Sequence, residues 1–313
     1  MALAQTKDQL DLQDIQRVFN IPQKRMDNIY KKKLDLELEK IYLDYQSSIP
    51  ETLEAVKSEV LAELNKQLVG KVHSIRCRIK DKDHLIEKII RNVSAKPEKY
   101  EKINVDNYNK IITDLIGIRI IILNKRDWRE IHESLLNIFR NLPDRYVEKS
   151  EDIIEKYNKY EKEANLEGQV LANSYHAEKP VVYITSEDDR KIYQDSNLKV
   201  DNSKTHYRSI HYIVRYGSVY FEIQVRTLFE EGWLEFDHRI KYPHDQDNKK
   251  KNEFVSILNS LAVSADRLIS LYDEMDFKQE SDEIEEESAL QQSVNDVNKS
   301  DTETLEGKMK LQF

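Results

Sequence analysis

Residues 206–227 read HYRSIHYIVRYGSVYFEIQVRT. Alternating side chains on either side of Gly217-Ser218 predict two antiparallel strands and a two-residue turn, glycine supplying the positive φ of a type II′ turn. Such a turn pairs Tyr216 with Val219. The register then sets Ile213 opposite Glu222, His211 opposite Gln224 and Ser209 opposite Arg226. Side chains alternate along a strand, so Tyr207, His211, Glu222, Gln224 and Arg226 share one surface. Ile210, Tyr212, Val214, Phe221, Ile223 and Val225 form an apolar set on the other. That second face suits a core. The first is either a solvated surface carrying a Glu222–Arg226 pair or the wall of a site.

Working outward, ITDLIGIRIIIL (112–123) has the continuous β-branched run of a strand buried on both faces. KVHSIRCRIK (71–80) alternates as a strand, and KDHLIEKIIRNV (82–93) has helical spacing. A helix is predicted over about 126–140, and PVVYITSEDDRKIYQ (180–194) predicts a strand, a turn and another strand. After the hairpin come an aromatic-rich helix, 228–242, and another over roughly 249–276. The latter has Phe254, Leu258, Leu261, Ala265, Leu268 and Tyr272 on its apolar side. Strands separated by helices and followed by a hairpin predict an α/β (α+β mixed) fold, a central mixed sheet flanked by helices.

The first 70 residues predict a helical extension. One stripe runs through Ile29, Leu34, Leu38, Ile41 and Tyr45 over 26–45. A second runs through Leu53, Val56, Val60, Leu64 and Leu68, behind a Ser48-x-x-Glu51 capping box. Both stripes are packing surfaces, for the chain itself or for a second copy. Expected boundaries are thus 1–70 for this extension, 71–247 for the sheet domain, 248–277 for a C-terminal helix and 278–313 for an acidic, disordered tail. A charged insertion is expected over about 144–180.

Of the net charge of −9 over 313 residues, the tail contributes ten acids against four lysines. An acidic chain is a poor general coat for nucleic acid, but a local phosphate pocket stays open. No apolar run approaches membrane-spanning length and the first residues lack a signal-peptide core, so no membrane partner is expected. The single cysteine, Cys77, predicts a reducing cytoplasm and a packed thiol rather than a nucleophile. With six glycines and no P-loop or G-x-G-x-x-G, phosphate binding must rely on side chains.

Candidates for that task lie on consecutive elements. Arg78 and Lys80 share a strand face, and Lys88 and Arg91 are i, i+3 neighbours on the next helix. Asp114 sits where a buried strand begins, a costly place for an unpaired carboxylate, and it could cap a helix, pair with a lysine or bind Mg²⁺. Arg119 is a charge within an apolar strand and needs a partner. Asp114 and Arg119 differ in parity; a bulge at Gly117, or a strand that begins after Asp114, reconciles them.

Together CRIKDKDHLIEKI (77–89), TDLIGIRI (113–120), YRSIHY (207–212), EIQVRT (222–227) and WLEFDHRIKY (233–242) resemble the synthetase domain of the RelA/SpoT family. The resemblance implies a nucleotidyltransferase-like fold over about 71–245, in a compact member without the hydrolase domain. It implies transfer of the pyrophosphate of ATP to the 3′-hydroxyl of GDP or GTP, making (p)ppGpp. Asp114 and Glu222 would be catalytic and hold Mg²⁺, with Glu222 activating the attacking hydroxyl. Arg78, Lys80, Lys88, Arg91 and Arg119 would bind ATP. Tyr207 would stack on the acceptor's base, and His211, Gln224 and Arg226 would line the acceptor side. Two departures stand out: Thr205-His206 replaces the usual Asn-Gly, and Asp237-His238 replaces Glu-His, with His238 expected to be structural. A toxic branch of such enzymes modifies the 3′-terminal adenosine of tRNA, the alternative partner here; an idle nucleotide-sensing module is a third reading. A homo-oligomer through the helical extensions is compatible with the stripes.

Overall fold

A computed structural model describes residues 9–139, 174–194, 197–203, 206–217, 219–241, 248–273 and 275. Most of the charged insertion expected over about 144–180, the acidic tail and the Thr205 and Ser218 positions lie outside them. The chain divides into two units, Met1–Ser264 and Ala265–Phe313. Four helices open the first unit: α1 (Leu12–Val18), α2 (Gln23–Lys31), α3 (Asp35–Ser47) and α4 (Pro50–Gln67). The single helix expected over 26–45 is two, because Lys33 takes φ 55°, a left-handed conformation no α-helix continues through. The Ser48–Glu51 box does not form either. Pro50 is the first residue of α4 and Ile49 its cap, an arrangement proline favours because it has no N–H to satisfy.

The sheet and its partners follow: β1 (Ser74–Ile79), α5 (Lys82–Ala95), single turns α6 (Pro97–Tyr100) and α7 (Tyr108–Ile111), β2 (Ile116–Ile122) and α8 (Trp128–Ile138). Next come β3 (Ser174–His176), β4 (Val181–Ile184), β5 (Lys199–Asn202), β6 (Ser209–Tyr216), β7 (Val219–Thr227) and α9 (Leu228–Lys241). Helix α10 spans Lys249–Asp273. The strands form one seven-stranded mixed sheet in the order β1-β2-β7-β6-β4-β5, with β3 also on β6. The hairpin register is the expected one: Tyr216 faces Val219, Ile213 faces Glu222 and His211 faces Gln224, with Gly217 at φ 57°. Strand β2 lies parallel to β7, placing Gly117 beside Glu222 and Arg119 beside Gln224.

Two sheet expectations change. Residues 190–193 form a 3-10 turn and the second strand comes later, as β5. Strand β3 falls inside the stretch expected as an insertion; its Tyr175 pairs with Arg215 at the outer end of β6.

One apolar cluster joins the sheet's inner face to the N-terminal helices, including Leu53, Val60 and Leu64 of α4, Leu68 at its C-terminal cap, and Ile29, Leu38 and Ile41 before it. Both N-terminal stripes therefore pack on the chain's own core. Tyr45 Oη donates to the carbonyl of Lys80 at 2.6 Å, tying α3 to the end of β1.

Helix α10 turns differently from expectation. Val255 and Ala262 pack against Trp233 and Leu234 of α9, and Trp233 Nε1 donates to the Val255 carbonyl at 2.9 Å. Phe254 and Leu261, assigned to the packed side, are exposed. By length and composition alone α10 could cross a membrane, with a mean hydropathy of 1.4 over its most apolar window. The helix also carries Asn259, Asp266 and Arg267, and reaches this value although no unbroken apolar run occurs in it.

Candidate active site

The polar face of the sheet, from β1 across β2 to β7 and β6, forms one continuous wall. β1 contributes Arg76 and Arg78, and Lys80 follows directly after it; Arg78 lies opposite Gly117 and Arg76 opposite Arg119. These side chains, with Asp114, Glu222, Gln224, Glu235 and His238, line a cavity of about 250 Å³. Asp114 and Glu222, distant in sequence, thus face one space. Strand β2 begins at Ile116, after Asp114, which removes the parity conflict between Asp114 and Arg119.

Asp114 is held by two lysines: Lys80 Nζ lies 3.0 Å from Oδ2 and Lys88 Nζ 2.7 Å from Oδ1. Burial alone would raise its pKa, but the two ammonium groups outweigh it and the carboxyl stays below the usual range. Lys80 is shifted down, chiefly by burial. Glu222 is likewise held down: burial opposes ionisation, the hydrogen bond from His211 favours it, and the charge of Asp114 pushes back. That mutual repulsion is the electrostatic sign of a shared cavity.

Around Glu222 a chain of contacts runs across the hairpin. His211 Nδ1 lies 3.0 Å from Glu222 Oε1, and Gln224 Nε2 donates to Oε2 at 2.5 Å. The Tyr207 hydroxyl is 2.7 Å from His211 Nε2 and accepts from Arg226 Nη2. Tyr183 of β4 meets both rings edge-on, with centroids 5.9 Å from Tyr207 and 4.9 Å from His211. On the other side of β7, Arg119 Nη1 donates to Glu231 Oε1 at 2.7 Å and to Glu235 Oε1 at 2.5 Å.

Behind this wall lies a second polar cluster. Lys125 pairs with Asp188 and, at 3.2 Å, with Glu230, while Arg208 Nη1 is 3.5 Å from Glu230. Burial works against the Lys125 charge, yet these carboxylates hold its pKa above the ordinary value. Arg208 adjoins Tyr207 in sequence and Glu230 opens α9, so the cluster fastens both to the sheet.

Most predicted residues come together. Asp114, Arg78, Lys80, Arg119, Glu222 and Gln224 line the cavity, and Lys88 reaches it through Asp114. Arg91 does not join them: its Nε pairs with Glu87 at 3.2 Å along α5, 45% exposed. Arg226, expected to line the acceptor side, is 2% exposed and lies against the Tyr207 ring, 5.1 Å from its centroid. His238, expected to be structural, stands in the cavity wall, its pKa lowered by burial. Cys77 is half-buried, its thiol pushed up to about 11 by burial, as a packed residue should be. His132 and His176 are buried, and burial lowers both to about 4.

Sequence reasoning missed Arg76, although its parity matches Arg78 and Lys80. It also missed Glu231 and Glu235, whose i, i+4 spacing puts both on one face of α9, and Tyr183, which nothing local distinguishes.

Among the described residues no group of three or more His, Cys, Asp or Glu side chains forms a ready metal site. Asp114 and Glu222 nonetheless fit a hard divalent cation: both are oxygen donors held ionised in one cavity. The Lys80 and Lys88 ammonium groups now occupy the oxygens of Asp114, at 3.0 and 2.7 Å, which shows that this carboxylate already gathers positive charge.

A search of curated proteins gives no match. Among solved structures the chain is similar to a GTP pyrophosphokinase family protein from Streptococcus pneumoniae. Identity is 17%, with 76% of this chain and 97% of that one covered, at a TM-score of 0.45. Small alarmone synthetase 1 from Bacillus subtilis, bound to its product pppGpp, matches at 16% identity over 74% of this chain and 95% of that one, TM-score 0.46. The same enzyme bound to AMPCPP matches at 15% identity over 75% and 95%, TM-score 0.41. A family model described as the region found in RelA / SpoT proteins covers residues 77–247, more than half of the chain, which therefore belongs to the RelA/SpoT family.

Proposed function

We propose that the protein is an ATP-dependent pyrophosphokinase that transfers the β,γ-pyrophosphate of ATP to the 3′-hydroxyl of GDP or GTP. The observation that carries this reading is the single cavity lined by both Asp114 and Glu222 together with Arg76, Arg78, Lys80 and Arg119. In such a reaction the acceptor oxygen attacks the β-phosphorus, the bond from that phosphorus to the α,β-bridging oxygen breaks, and AMP departs. Little covalent help is required; positioning and cations facing the developing charge supply most of the acceleration.

Each residue then has a task. Arg76, Arg78, Lys80 and Lys88 hold the triphosphate, Lys80 and Lys88 exchanging Asp114 for phosphate oxygens. Glu222, ionised and braced by His211 and Gln224, accepts the hydroxyl proton. Tyr207 and Tyr183 present aromatic surface for the acceptor's base. Asp114 and Glu222 would hold Mg²⁺, which when bound neutralises phosphate charge.

A second reading, transfer to the 3′ end of tRNA, is favoured by one observation. His206 takes φ 62° beside Tyr207, where the family usually has glycine, and its Nε2 lies 3.5 Å from Ser256 Oγ. The left-handed backbone is one that suits glycine, yet a side chain stands where the acceptor would approach. Incubation with γ-labelled ATP and GDP, GTP or tRNA separates the readings. Label in guanosine nucleotide is expected; label in tRNA alone would refute the first.

A further inference from the structure

We propose that Glu231 is a positioning residue that sets the two halves of the site against each other, holding Arg119 on one side and Arg226 on the other. The labels donor half and acceptor half rest on the pyrophosphokinase reading; the geometry does not.

Glu231 is 4% exposed and sits in the first turn of α9. Each of its oxygens takes one guanidinium: Oε1 accepts from Arg119 Nη1 at 2.7 Å and Oε2 from Arg226 Nη1 at 2.8 Å. From Arg119 the path leads straight to the cavity wall. From Arg226 it leads inward, since Nη2 donates to the Tyr207 hydroxyl and to Gln224 Oε1. Tyr207 contacts His211, and both His211 and Gln224 contact Glu222. One carboxylate thus heads two chains of contacts, one ending at Arg119 in the cavity wall and the other at the proposed base.

A plain counter-ion for Arg226 would need neither the second guanidinium nor so fixed a mount. Glu235 already pairs with Arg119 from the solvent side, 54% exposed. The mount is fixed twice. Thr227 and Glu230 form a reciprocal cap, Thr227 N donating to Glu230 Oε2 at 3.0 Å and Glu230 N to Thr227 Oγ1 at 3.1 Å. Glu230 is in turn tied to Lys125 and Arg208. The neighbouring Glu231 inherits that rigidity, and outer residues of this kind set the alignment of the groups that touch ligand.

Glu231→Gln, Glu231→Asp and Glu235→Gln form the test, read as transfer kinetics with each nucleotide varied. E231Q should raise KM for both ATP and acceptor at least about fivefold and lower kcat about tenfold, since two aligned contacts are lost together. E235Q, whose hydrogen bond is to Arg119 and not to Arg226, should act on the ATP side only, and E231D should recover part of the loss. Effects of E231Q confined to ATP, or a lowered melting temperature with unchanged kinetic constants, overturn the proposal; if E231Q does not fold, E231D carries the same comparison. Guanidinium proton exchange in ¹⁵N-arginine-labelled protein reads the arrangement without nucleotide. Exchange at Arg226 should rise at least about tenfold in E231Q while that at Arg208 holds, as local opening predicts; unchanged exchange at Arg226 overturns the proposal. If the wild type transfers label to neither guanosine nucleotide nor tRNA, the functional reading fails, and exchange alone decides for Glu231.

Discussion

Asp114→Asn keeps the side chain's shape and removes the charge that faces both Lys80 and Lys88. The lysines lie 3.0 and 2.7 Å from the carboxylate, and the charge of Lys88 already works against that of Lys80. Removing one partner of a fully buried pair costs about 3–5 kcal/mol, and of an exposed pair about 0–1. With lysine side chains 13% and 21% exposed, the loss should fall between, near 2 kcal/mol, lowering Tm by about 4–8 °C for a chain of this size. The pH dependence has a fixed sign. Asp114 has a folded pKa below its unfolded value of about 3.9, so its contribution is full above that value and fades as pH falls through the folded one. Wild type and variant should therefore differ at pH 7 and converge under strong acid. Transfer should fall about 100- to 1,000-fold, the usual cost of one preorganised charged group, with a higher magnesium requirement. The assay is label transfer from γ-labelled ATP across a magnesium series, beside thermal melts at several pH values. A variant within about threefold of wild type at an unchanged magnesium optimum would refute the role given to Asp114.

Glu222→Gln should reduce transfer about 100-fold or more while leaving the far-ultraviolet circular dichroism unchanged, since the carboxylate faces a cavity. For the wild type, the lowered pKa of Glu222 places its acid limb at or below the ordinary glutamate value, about 4.3, so a pH–rate profile with its acid limb near 6.5 would show that another group controls the reaction. His206→Gly should raise stability by about 1 kcal/mol in chemical denaturation, because φ 62° strains an L-residue and suits glycine. Arg91→Ala should leave KM for ATP within about twofold, as its partner is Glu87 on the helix surface, whereas Arg78→Ala should raise it about tenfold or more by the loss of a charge-assisted contact.

The central sheet was legible because its signals are local. Gly217 sets the hairpin turn and parity does the rest, so the register from Tyr216 to Ile210 could be counted off the sequence. The β-branched run of 116–122 reads as a buried strand for the same reason. Parity likewise placed Glu222 and Gln224 on one face, whereas helical spacing paired Lys88 with Arg91, and only Lys88 turns to the cavity, through Asp114. What stayed hidden depends on neighbours distant in sequence. The 26–45 stripe reads as continuous because helical periodicity survives a single left-handed residue at Lys33. The apolar side of α10 was misassigned because both of its faces are rich in large side chains, and Trp233 and Leu234, distant in sequence, decide which is covered. Strand β3 has three residues, too few for any period to register.

Arg226 shows where parity stops being informative. Its strand position places it on the same face as Glu222 and Gln224, and a guanidinium there reads as a ligand for the acceptor. Parity fixes the direction of a side chain but not what is laid over it. Helix α9 leaves β7 directly at Leu228 and sets Glu231 over Arg226, so its guanidinium meets a carboxylate and the Tyr207 ring. Arg119, two strands nearer the sheet edge than β6, meets the same carboxylate yet still lines the cavity. An arginine on such a wall is therefore a binding group or a brace according to the depth at which the covering helix meets it. By that criterion the acceptor surface is narrower than the strand pattern implies. On the proposed reading it would reduce to the rings of Tyr183, Tyr207 and His211, which meet edge to face, and substitutions there, rather than at Arg226, should change which acceptor is used without changing the handling of ATP.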